Sequence, residues 1–106
     1  MEGLFKVTKE FDVAASIAKI IDSEELTKTI GAKLVLGDTI TPPDSRIKTA
    51  TYIIKKKEGD GFRASIWYNQ DYSPPILKVD VQTDDHIKKQ VYQLIIDILG
   101  VNDKNT

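Results

Sequence analysis

Three stretches of this chain, Arg46 to Lys57, Phe62 to Asn69 and Ile76 to Gln82, alternate apolar with polar residues, and turn-forming residues separate them. Period-two alternation belongs to strands with one buried face, so the three predict an antiparallel meander over 46–82. The first connection, Glu58-Gly59-Asp60-Gly61, supplies glycines for positive φ between two runs rich in β-branched and aromatic residues, which marks a tight hairpin. The second runs from Gln70 to Pro75. Thr41-Pro42-Pro43-Asp44-Ser45 reads as a loop ahead of the meander, because its prolines lack the donors that a helix interior or a central strand needs.

Helical spacing flanks the meander. Asp12 is a good N-cap, and Val13, Ala14, Ile17, Ala18, Ile20 and Ile21 recur three and four residues apart, which predicts a helix to about Asp22. Ser23 opens a short helical segment through Leu26 and Ile30, with Gly31 placed for a left-handed stop. Ile87, Val91, Leu94, Ile95, Ile98 and Leu99 mark one face of a longer helix that starts near Thr83 or Asp84 and stops at Gly100. Phe5, Val7, Lys9 and Phe11 predict a short opening strand, with Thr8 as the alternative cap of a helix near Lys9; Leu34-Val35-Leu36 is a short apolar run.

The expected fold is a single α+β domain over 1–101, followed by a polar C-terminal tail, 102–106. It has an antiparallel sheet of four to five strands, with an N-terminal helix and a long C-terminal helix packed on one face. The element order resembles the helix-grip arrangement, in which a curved antiparallel sheet wraps a long C-terminal helix. That resemblance implies topology alone.

Composition narrows the function classes. The chain has 106 residues, long enough to bury about two thirds of its unfolded surface without staples. Its 15 Lys and Arg against 16 Asp and Glu argue against binding nucleic acid or membrane by bulk charge. With no Cys and one His, it has no disulfides, no thiolate chemistry and no multi-histidine metal site. No run approaches the ~18–20 apolar residues of a bilayer span, and Met1 to Lys6 lack a signal-peptide pattern, so no membrane partner and a cytoplasmic setting are expected.

Within the meander, Phe62, Ala64, Ile66 and Tyr68 share a face with Leu77, Val79 and Val81. Hairpin pairing about Gly59-Asp60 adds Thr51 and Ile53 to that face, which the helices are expected to cover. The opposite face is then predicted to carry Tyr52, Ile54, Lys56, Arg63, Trp67 and Lys78, with Tyr52 beside Trp67. An ordinary cross-strand aromatic pair accounts for this pattern. A homodimer seam also accounts for it, since interfaces enrich aromatics and Arg, and so does base stacking of a single-stranded nucleic acid.

Asp80, Asp84, Asp85 and His86 offer carboxylates and an imidazole close in sequence. Capping and the helix dipole explain the pair at 84–85, so no metal site and no catalytic residue are assigned. Lys55-Lys56-Lys57 and Arg63 make the hairpin basic, which suits either phosphate contact or an edge protected from pairing. The leading expectation is a non-enzymatic binding module acting as a homodimer, with a protein partner as a variant of it and no cofactor. The alternative is a small-ligand or nucleotide binder, using Tyr68, Tyr72, Arg63, Asp80 and His86 around a pocket between sheet and helices or at a dimer seam. A hydrolase or nuclease built on Asp carboxylates comes third.

Overall fold

The computed structural model of the protein describes residues 1–101; the expected tail at 102–106 lies outside the described residues. In chain order the elements are β1 (Glu2–Lys6), α1 (Val13–Ile21), α2 (Glu24–Ile30), β2 (Leu34–Ile40), β3 (Thr49–Lys56), β4 (Arg63–Asn69), β5 (Ile76–Gln82) and α3 (Asp85–Leu99). The strands form one antiparallel sheet in the order β1-β5-β4-β3-β2, so the chain adopts the expected α+β class. The first strand pairs with the last, and the helical pair α1–α2 spans the whole sheet to reach β2 at the far edge.

Local chemistry sets most of the boundaries. The Asp12 carboxylate accepts from the Ala15 amide at 3.0 Å and starts α1, and the Ser23 hydroxyl accepts from Leu26 at 3.2 Å and starts α2. Gly31 and Gly100 close α2 and α3 in the left-handed region, at φ 79° and 72°. Two expectations need correction. Asp84 occupies the N-cap of α3 without a side-chain cap bond, while Asp85 pairs with Lys88 at 3.0 Å instead. The opening strand ends at Lys6, so Phe11 lies beyond it and packs against Tyr68, ring centroids 5.6 Å apart.

The helices cover one face of the sheet. Ile66, Leu77, Val79 and Val81 from the sheet and Val91 and Ile95 from α3 are fully buried, joined by Ile17, Ile20, Leu26 and Leu34. These side chains occupy the space between sheet and helices. At Gly3 the missing side chain lets Tyr92 of α3 approach β1 closely.

Register overturns one expectation about the faces. Tyr52 pairs with Ile66 and Ile54 with Ala64, so both belong to the helix-covered face, and Ile54 is fully buried. Lys56 shares their side of β3, with its ammonium beside Gly61. Thr51 and Ile53, opposite Trp67 and Ser65, lie on the uncovered face instead. The β2–β3 ladder also shifts between Leu36 and Asp38, a bulge at Gly37. It moves the outward parity of β2, so that Asp38 and Ile40 face the same way as Ile53 and Thr51.

Candidate functional site

The face left free by the helices is ordered in cross-strand rows. One row runs Leu4, Lys78, Trp67, Thr51, Ile40 from edge to edge. Its two ends are strongly exposed, Leu4 at 58% and Ile40 at 51%, and Trp67 at its centre is partly exposed. The neighbouring row runs Glu2, Asp80, Ser65, Ile53, Asp38, and the next runs Gln82, Arg63, Lys55, Val35. Large apolar side chains are thus set across a sheet surface that carries charge between them.

One small residue, Ser65, borders a hollow between the central strand and the β1 edge. Ser65 lies between Trp67 and Arg63 on β4, and a concavity of about 370 Å³ opens there, lined by Glu2, Ser65, Trp67, Lys78 and Asp80. Glu2 lies 3.5 Å from the Lys78 ammonium, an exposed pair that softens the charge on the rim. Lys55 and Arg63 stand directly opposite each other on β3 and β4, and neither forms an ion pair among the described residues.

Of the six residues expected on this face, Arg63, Trp67 and Lys78 are there, while Tyr52, Ile54 and Lys56 are on the other side. The alternative set does not converge. Tyr68 is buried on the helix-covered face and lines, with exposed Tyr72, a hollow of about 360 Å³ at the β4–β5 turn. Arg63 lines a different one, about 460 Å³, between the Gly59–Phe62 hairpin and Thr83. Asp80 belongs to the concavity at Trp67, and His86 is exposed on the first turn of α3.

Sequence reasoning missed Leu4, Ile40, Ser65 and Ile53. Thr49, Thr51 and Ser65 were the available signal, since small polar residues in alternation mark the outward face of β3 and β4. Leu4 and Ile40 join the row only through strand pairing at the two edges, which alternation within a strand does not disclose.

Comparison with known proteins finds no matching protein-family model, no matching curated protein and no matching solved structure. Among the described residues, no three His, Asp or Glu side chains gather to hold a metal ion, and no helix is long and apolar enough to cross a membrane. The uncovered face offers a row of three apolar side chains interrupted by Lys78 and Thr51, a hollow beside Trp67, and further charges in the rows alongside.

Proposed function

We propose that the chain is a non-enzymatic interaction module that works as a homodimer through its uncovered sheet face. The observation that carries this is the row Leu4–Trp67–Ile40, apolar at both ends and at the centre of a sheet that no helix covers on that side. Five strands spaced about 4.8 Å apart and about 20 Å long make a face of about 500 Å². Two such faces in contact bury about 1,000 Å², the lower bound for a specific interface. A second copy is the occupant best matched to such a face, because an isologous contact sets the same surface against itself and buries both tryptophans. Side chains at the row's ends, Leu4 and Ile40, extend the contact beyond the aromatic centre.

Trp67 is the only tryptophan, so its fluorescence reports the seam directly. At micromolar concentration the protein should elute and scatter as a dimer, and its emission should shift to longer wavelength on dilution as the indole is exposed. Trp67→Ala should give a folded monomer, because the residue contributes little to the helix-covered core. A dimer of unchanged mass in that variant would exclude this face, as would a wild type that is monomeric at every concentration. In the monomeric case, a salt-sensitive shift with single-stranded DNA would reassign the face to stacking of bases.

A further inference from the structure

The homodimer reading, on which the placement of the two copies rests, brings two uncovered faces together, and their rows constrain how they meet. Full overlap of five strands with five requires β4 to lie over the partner's β4, with a two-fold axis in the plane of contact. An axis along the strands sets Glu2 against the partner's Asp38 and indole on indole. An axis across the strands along the Trp67 row sets Lys78 against the partner's Lys78. Both place like charges together, which opposes association when they are desolvated. An axis across the strands midway between the Trp67 row and the Ser65 row sets no like charges together in these two rows; at the sheet's edges it lays Leu4 over the partner's Glu2 and Ile40 over the partner's Asp38.

We propose that two copies dock about this midway axis, so that each Trp67 indole enters the partner's concavity over the partner's Ser65, and each Lys78 ammonium meets the partner's Asp80 carboxylate. Three observations converge on it. Trp67 and Ser65 are successive outward residues of the central strand, one large and one small, so the exchange puts each indole where the partner has room. Lys78 and Asp80 are successive outward residues of β5 and carry opposite charges, so the same exchange pairs them twice by symmetry. All four lie on the central strand or the strand beside it, near where two twisted sheets crossing at about 30° stay in closest register. Within one copy Lys78 already holds Glu2 at 3.5 Å and Asp80 lies 3.8 Å from the Met1 ammonium, two partly exposed pairs that the partner's charges would open or share.

Charge exchange between two variants tests the placement. Lys78→Glu and Asp80→Lys each set like charges across both contacts of their own homodimer, so each should raise the dimer dissociation constant at least about tenfold while circular dichroism stays native. Mixed in equal amounts, the two should recover dimer mass, because the mixed pair has opposite charges at both contacts. Either variant dimerising as tightly as wild type, or two folded variants that stay monomeric when mixed, would overturn the placement. If either charge variant fails to fold, Ser65→Trp takes its place, since a filled concavity should abolish the dimer, and unchanged mass would overturn the proposal. Loss of the dimer in Trp67→Ala together with an undisturbed Lys78→Glu dimer would reject the axis alone. A dimer that survives Trp67→Ala, or a monomeric wild type, would reject the face and the axis together.

Discussion

At the scale of single residues, the two faces of the sheet differ in what a truncation removes. Val79 is fully buried between sheet and helices, so Val79→Ala should cost about 1–3 kcal/mol in urea unfolding, through lost burial and a residual cavity. A loss under about 0.5 kcal/mol would contradict its packing. Tyr68 is a titrating group on the same side. Burial pushes its hydroxyl above the ordinary tyrosine value, against the opposing pull of a hydrogen bond with Gln70. The folded state therefore holds that proton longer than the unfolded chain does. Stability from this source is intact below about pH 10, where the unfolded tyrosine ionises, and falls as pH climbs from there through the folded value. Tyr68→Phe keeps the ring against Phe11 and removes the proton, so its stability should decline less than wild type between pH 9 and pH 11; equal declines would contradict the shift.

At the scale of elements, Gly3 is where β1 admits α3. A methyl there would overlap the Tyr92 hydroxyl and come within 2.7 Å of the Phe5 ring, so Gly3→Ala should destabilise by about 1–3 kcal/mol in chemical unfolding. Adding Tyr92→Phe should recover part of that loss, and a neutral Gly3→Ala would show that the helix does not press on the strand. The helix ends were legible in the sequence because a cap is decided by neighbours: Asp12 acts on Ala15, Ser23 on Leu26, and Gly31 on its own φ. The division of the sheet into two faces was legible only in β4 and β5, whose alternation is clean. In β3, Ile53 and Ile54 are adjacent and equally apolar, so the parity had to come from the hairpin. A symmetric turn about Gly59-Asp60 pairs Tyr52 with Trp67; the observed ladder pairs Lys55 with Arg63 and Tyr52 with Ile66. Both Gly59 and Gly61 take positive φ, the connection from 56 to 62 holds an odd number of residues, and a displacement of one residue carries a whole strand's side chains to the other face. Half of the expected site was lost to that single count.

At the scale of the whole molecule, the chain is a slab 38 by 32 Å across and 21 Å through, one layer of sheet and one of helices. A two-layer slab leaves one sheet surface uncovered, and the row through Trp67 there sets Leu4, Trp67 and Ile40 in alternation with Lys78 and Thr51. The bulge at Gly37 matters here in another way. An open sheet has two free edges, and each is a template on which further strands can add without limit. At the β2 edge the ladder is in phase over Leu34–Leu36 and again over Asp38–Ile40 but not across the junction, so an incoming strand finds two stretches of three residues instead of one of seven. At the other edge β1 presents five residues. Short or interrupted edges of this kind are poorer templates for strand addition than one long unbroken strand. The break that re-aims Asp38 and Ile40 thereby also divides the template that β2 would offer to an added strand.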